Sequence, residues 1–325
     1  MSHRALRLSA VLSGVVCAAS AGLAAQGLPP PAVVEDAAVH GVEHGLGTVA
    51  AADGTPLFVQ WWRPATPPRA VVVVVHGLKD HSSRYAAFAR GLVGKGFAVH
   101  AFDLRGHGRS GGRPVRVDTF ADYTGDLDVF VRGVKEKNPG IPLFLYGHSM
   151  GGAVALTTLL DQAPPVDGLI LSAAALKPGA DVNPALIAVT AQLGRFLPDL
   201  PVLNLDDAAF TRDGAQMQQD AADVLIHRNP GPARTAAELL ATMERNQQRF
   251  EKVSLPILVL HGTADRLTNP EGSKEFHARA ASTDKTLKVY PDFFHDLLHE
   301  PTAARATVVA DVTAWLEAHL ARPQP

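Results

Sequence analysis

The chain has 325 residues, 46% hydrophobic and 19% charged, enough for a large packed core as one domain with an insertion or as two domains. Its 30 basic and 32 acidic residues leave a formal net charge of -2, which excludes the basic excess of a nucleic-acid binder or of a protein held on an anionic membrane. One cysteine, Cys17, excludes a disulfide framework.

The first 25 residues read as an export leader. His3, Arg4 and Arg7 precede an uncharged stretch from Leu8 to about Leu23, and Ala19-Ser20-Ala21 fits a small-x-small cleavage site, with Leu23-Ala24-Ala25 a looser fit. The stretch is short for a membrane span and rich in Ala, Gly and Ser; a retained N-terminal anchor is the alternative. Val16 is too bulky for lipoprotein processing at Cys17, so the processed, exported chain has no thiol chemistry. Residues 26–45, with Pro29-Pro30-Pro31, read as a linker.

From Gly47 to Trp62 two strands flank an Asp53-Gly54 hairpin turn. Ala70–Val75 is an apolar, β-branched run, as a parallel strand buried on both faces requires. A helix from Tyr85 to Lys95, a strand over Ala98–Phe102 and a helix over Phe120–Lys137 follow, the last stopped by Asn138-Pro139-Gly140. Strands are expected at Pro142–Tyr146, Leu169–Leu171, Pro256–Leu260 and Thr286–Tyr290, with helices over Gly152–Leu160, from Pro270, and over Ala303–Leu320. This alternation predicts an α/β fold: a mostly parallel, eight-stranded sheet flanked by helices and opened by an antiparallel hairpin. Residues 174–253 break the pattern with helical periodicity and no strand. They are expected to form a helical cap inserted after the sixth strand, over the carboxyl ends where such sheets hold their sites.

Gly147-His148-Ser149-Met150-Gly151 falls between a strand and a helix. On that sharp turn a serine hydroxyl projects outward, and the helix N-terminus behind it favours developing negative charge. Such a serine needs a base, and the base an orienting acid. Asp265 lies in the loop after the Pro256 strand; Asn269 and Pro270 are nearer the next helix start, so Asp265 is not its cap. The base is His295, directly after the last strand, or His299 four residues on. A zinc pair at that spacing lacks a third ligand cluster, so no metal or organic cofactor is expected. Backbone N–H groups of Met150 and of Leu78, in the His76-Gly77-Leu78 loop, are candidate oxyanion donors. His76 reads as structural. Asp103-Leu-Arg-Gly-His-Gly-Arg-Ser110 invites a phosphate-cradle reading, but its glycines lack that spacing, and a hydrogen-bonded supporting loop is expected.

His76–Tyr85, Gly147–Gly152 and Phe294–Glu300 together resemble the α/β-hydrolase superfamily, and within it the monoacylglycerol lipase and lysophospholipase group, over about residues 46–320. The resemblance implies Ser149 as nucleophile, Asp265 as acid, His295 as base, Leu78 and Met150 as oxyanion donors, and a cap shaping an apolar acyl tunnel. Leu186, Val189, Leu193 and Phe196, recurring at helical spacing, are the candidate tunnel residues. The implied partner is a small-molecule acyl ester, with the cap's apolar stripe a candidate for transient lipid-surface contact. Broad carboxylesterase, lysophospholipase and aminopeptidase activity are alternatives; the last needs an acid for the substrate amine, for which Asp206 and Asp207 are available. Leu267 and Thr268, where a small apolar residue and a proline often stand, depart from the group's pattern.

Overall fold

The computed structural model describes residues 33–35, 41–179 and 183–320, so the leader reading over residues 1–25 lies outside the described residues. Strands β1 (Val33–Glu35), β2 (Val42–Ala50) and β3 (Pro56–Pro64) open the chain. β4 (Val71–Val75), α1 (Ala86–Val93), β5 (Ala98–Phe102), α2 (Phe120–Lys137), β6 (Leu143–His148), α3 (Met150–Gln162) and β7 (Gly168–Ser172) follow. After the cap come β10 (Ile257–Gly262), α7 (Pro270–Arg279), β11 (Lys285–Tyr290) and α8 (Thr302–Ala318); the cap holds α4 (Pro184–Phe196), β8 (Pro201–Leu203), α5 (Gly214–Ala222), β9 (Gly231–Pro232) and α6 (Ala233–Gln247).

The sheet runs β1-β2-β3-β5-β4-β6-β7-β10-β11. From β5 to β11 every neighbour pair is parallel, and β1, β2 and β3 add an antiparallel edge. The sheet has nine strands rather than eight because β1, in the segment read as linker, pairs with β2, which itself starts at Val42. The cap thus follows the seventh strand of the chain, the sixth once this edge strand is set aside. The β2–β3 turn is as its residues dictate: Gly54 has φ +82°, and the Asp53 carboxylate accepts the Thr55 N–H at 3.0 Å.

Five consecutive valines explain β4. Val71, Val73 and Val75 pack with α2 and α3, and Val72 and Val74 with α1 and α8, so both faces are buried. Each such side chain contributes about 1.5–3 kcal/mol by leaving water. Thr119 caps α2 in a reciprocal box with Asp122, and Asn269 caps α7 by accepting from Glu271 N.

The cap is not purely helical. β8 and β9 pair antiparallel, a correction to the all-helical expectation. Strands of two or three residues, each containing a proline, leave no period to read. α6 roots the cap on α3: Asn246 Nδ2 donates to Thr157 Oγ1 at 2.9 Å in a buried contact.

Candidate active site

β6 turns into α3 through Ser149, whose backbone lies at φ 54°, ψ -123°. A non-glycine residue there costs roughly 1–3 kcal/mol and persists only where its surroundings over-determine it. Here Ser149 N–H donates to Ser172 O at 3.0 Å, and Ser149 O accepts from Gly152 N at 3.0 Å and Ala175 N at 2.9 Å. The flanking glycines are steric necessities. A Cβ on Gly147 would meet Gly151 O at 2.6 Å, and one on Gly151 would collide with His76 O and Val75 O. The neighbours of Ser149 are buried, while Ser149 itself remains partly exposed.

β10 and β11 are parallel neighbours, so the loops after them meet at one edge. There His295 Nδ1 lies 2.7 Å from Asp265 Oδ2, both side chains being out of solvent. An ionised carboxylate only accepts, so Nδ1 carries the proton and Nε2 is left as the basic nitrogen. Asp265 Oδ1 accepts the N–H groups of Leu267 at 2.8 Å and Thr268 at 3.0 Å. Oδ2 also receives Thr268 Oγ1 at 2.8 Å and His261 Nε2 at 3.0 Å. Burial alone would raise the Asp265 pKa, but His295 and His261 hold it well below the usual carboxylate range. Burial likewise would depress His295, yet Asp265 beside it raises its pKa above the ordinary value.

The β4 loop lies against the elbow: a Cβ on Gly77 would stand 3.2 Å from Ser149 Cβ. His76 is structural, its Nε2 accepting Leu104 N at 2.9 Å while Nδ1 donates to Gly77 O at 2.7 Å. Met150 opens α3, so its N–H has no intrahelical partner. The Asp103–Ser110 segment is a supporting loop. The Asp103 carboxylate accepts Ser82 N at 2.7 Å and Arg109 N at 2.8 Å, and a Cβ on Gly108 would collide with it.

A cavity of about 420 Å³ joins these parts. Leu78, Ser149, Met150 and His295 line it, and Leu193, Leu239 and Met243 are among its apolar walls. Among the described residues no aspartate or glutamate lines it. Of the four cap residues expected there, Leu186 and Leu193 line the cavity and Val189 and Phe196 do not. Leu186, Val189 and Phe196 are 51%, 53% and 68% exposed, so the apolar stripe of α4 is mostly exposed and only its Leu186–Leu193 edge reaches the cavity wall. His299 stands away from Ser149. Its Nδ1 lies 2.9 Å from Asp296 and its Nε2 donates to Arg84 O at 3.1 Å.

Residues 66–302 match the Hydrolase_4 family, described as serine aminopeptidase, S33. The chain belongs to this family. It is similar to the monoacylglycerol lipase of Mycolicibacterium smegmatis, 35% identical over 86% of this chain and 98% of the relative. It is also similar to human monoglyceride lipase, 32% identical over 82% and 88% of the two chains. The crystal structure of Paleococcus ferrophilus monoacylglycerol lipase superposes with a TM-score of 0.73 at 29% identity, over 81% of this chain and 99% of that one. The chain is an α/β-hydrolase of the monoacylglycerol-lipase-like group.

Two features of this α/β-hydrolase escape sequence reading. His261, inside β10, is fully buried; Ser273 Oγ lies 2.7 Å from its Nδ1, which leaves Nε2–H for Asp265. Arg84 ties three carboxylates together: Asp80 at 3.1 Å, Asp220 of α5 at 3.0 Å and Asp296, next to His295, at 3.1 Å. It thereby joins the β4 loop, the cap and the His295 loop. Only the i, i+4 spacings of Asp80–Arg84 and His261–Asp265 hint at either in the sequence.

Proposed function

We propose that this chain hydrolyses monoacyl esters such as monoacylglycerols through a covalent acyl-enzyme. Its relatives place it in the broader class of carboxylic ester hydrolases. Ser149 Oγ attacks the acyl carbonyl while His295 Nε2 takes its proton. Asp265 holds the imidazole in the required tautomer and steadies the imidazolium. The N–H groups of Leu78 and Met150 stabilise the tetrahedral oxyanion, a donor of this kind contributing about 2.7–4 kcal/mol. His295 returns the proton to the leaving alcohol, and water cleaves the acyl-enzyme by the same steps.

The observation that carries this reading is the cavity of about 420 Å³, apolar over most of its wall and lined also by Ser149 and His295. An aliphatic chain fits that chemistry. An aminopeptidase would need a carboxylate for the substrate's ammonium. The cavity has none among the described residues, and Asp206 and Asp207 are exposed and paired with Arg266 and Arg228. The outward side chains of α4 and the segment after it, Val189, Phe196 and Leu197, support transient contact with the lipid surface that supplies such esters. The leader pattern of residues 1–25 supports action outside the cytoplasm.

Hydrolysis of 1-monoacylglycerols and p-nitrophenyl esters from acetyl to palmitoyl tests the proposal, with Ser149→Ala as control. A maximum at medium or long chains, absent in the variant, is expected. Activity confined to acetyl and butyryl esters would move the function to a small-ester hydrolase.

A further inference from the structure

β10 alternates as a strand buried on both faces must. Ile257 and Val259 join the core with α3, α6 and α7, and Leu258 and Leu260 the core with α1 and α8. His261 continues the first face, where an apolar side chain is expected, and is fully buried. A buried imidazole is costly unless both ring nitrogens are bonded, and here both are. An ionised carboxylate only accepts, so Nε2 carries the proton and lies 3.0 Å from Asp265 Oδ2. Nδ1 is then left to accept the hydroxyl of Ser273, in α7, at 2.7 Å. Gly262 allows the chain to fold back this way. A Cβ there would collide with Phe293 O and Phe294 O, so the turn after β10 lies directly on the loop that carries His295.

Asp265 Oδ2 is therefore shared between two imidazoles. His295 Nδ1 stands 2.7 Å from it, His261 Nε2 3.0 Å and the Thr268 hydroxyl 2.8 Å. The negative charge that Oδ2 offers to each donor falls as the others draw on it. The remaining titratable groups near His295 are engaged elsewhere. Asp80 and Asp296 each pair with Arg84 at 3.1 Å, and Asp296 also with His299 at 2.9 Å. The His148 ring lies 4.8 Å from that of His295, and burial pushes its pKa down to about 4, so it stays neutral.

We infer that His261 is a positioning residue of the catalytic site: it fixes the Asp265 carboxylate and, by drawing on Oδ2, moderates the pull of Asp265 on the His295 ring proton. The inference rests on the triad of the proposed ester hydrolysis. A carboxylate this close shifts a neighbouring pKa by about 1–3 units. Removing one of the three donors on Oδ2 is expected to add about 0.5–1 unit to His295. His295 must be neutral to take the Ser149 proton. The midpoint of the acid limb of kcat/KM therefore rises, and kcat/KM below it falls about 3- to 10-fold.

The pH–rate profiles of native, His261→Leu and His261→Gln protein on a monoacyl ester test this. A glutamine amide keeps an N–H donor for Oδ2 and an oxygen for Ser273; leucine supplies neither. The expected midpoint is about 0.5–1 unit higher in His261→Leu and back at the native value in His261→Gln. A purely structural role would lower the melting temperature and kcat at every pH and leave the midpoint in place. A midpoint unmoved or lowered in His261→Leu, or raised equally in His261→Gln, overturns the inference. Nuclear magnetic resonance of native protein carrying isotope-labelled histidine decides the matter should the leucine variant not fold. His261 is expected to hold its proton on Nε2 and to respond with the same midpoint as His295. A proton on Nδ1, or a His261 signal indifferent to the titration of His295, overturns the inference. This readout needs no turnover. Linked titration in a protein that hydrolyses no ester would sink the hydrolase reading and keep the role of His261 at Asp265; turnover with unlinked titration would do the reverse.

Discussion

Replacing Asp265 by Asn tests the proposed chemistry through a single atom. In the native site Oδ1 accepts two backbone N–H groups, from Leu267 and Thr268, while Oδ2 faces the donors of His295 and His261 and the Thr268 hydroxyl. An asparagine keeps one acceptor and gains one donor. With its oxygen toward the two backbone N–H groups, its NH₂ faces His295 Nδ1, which must then accept. The ring proton moves to Nε2, and His295 cannot take the Ser149 proton. Flipping the amide restores an acceptor toward the histidines but aims the NH₂ at two backbone donors, at about 1–3 kcal/mol for each buried group left unpaired. That penalty of about 2–6 kcal/mol favours the unreactive tautomer. Loss of kcat by a factor of about 10³–10⁴ is expected, about 4–5.5 kcal/mol of barrier, at little change in KM. Steady-state hydrolysis of a monoacyl ester across the pH range, with the melting temperature recorded beside it, gives the answer. A loss of less than tenfold in a folded protein would refute the assignment of Asp265.

Other perturbations follow from the same geometry. Because His295 must be neutral to act as base and Asp265 raises its pKa above the ordinary 6.5, kcat/KM should fall as pH drops through a midpoint above that value. A midpoint below 6.5 in a pH–rate profile would contradict the pairing. Arg84→Met leaves Asp80, Asp220 and Asp296 without their shared cation, a loss of about 3–5 kcal/mol in urea unfolding. A change under 1 kcal/mol would mean the cluster does not hold cap and body together. Leu193→Trp fills part of the 420 Å³ cavity, so the palmitoyl-to-butyryl ratio of kcat/KM should drop about tenfold or more. An unchanged ratio would place the acyl chain elsewhere.

Local chemistry made the scaffold legible. The Val71–Val75 run, the Asp53-Gly54 turn and the glycines around Ser149 each dictate their conformation within a few residues, and the structure has them where expected. Asp265 and His295 are each expected in the loop after a late strand, and the structure brings their side chains together there. What stayed hidden depends on distance in the chain. Arg84 draws partners from positions 80, 220 and 296, and only folding joins them. His261 reads as an ordinary strand-end residue until the turn after β10 brings Asp265 back onto it. Helical period put Leu186, Val189, Leu193 and Phe196 in one stripe. Yet only its Leu186–Leu193 edge lines the cavity, and the Val189–Phe196 edge, about 60° round the same helix, does not. Periodicity gives the stripe but not which side meets a cavity. β1 pairs with β2 through backbone groups, which leave no side-chain signature for a three-residue edge strand.

In the proposed reaction Ser149 carries the acyl group between its two transfers. Rapid acid quenching during turnover of a long-chain p-nitrophenyl ester, followed by intact mass measurement and peptide mapping, tests it directly. A mass increase of one acyl group is expected, located on the peptide containing Ser149 and absent from Ser149→Ala protein. Turnover with no acylated protein at any quench time, or an acyl group on another residue, would contradict it.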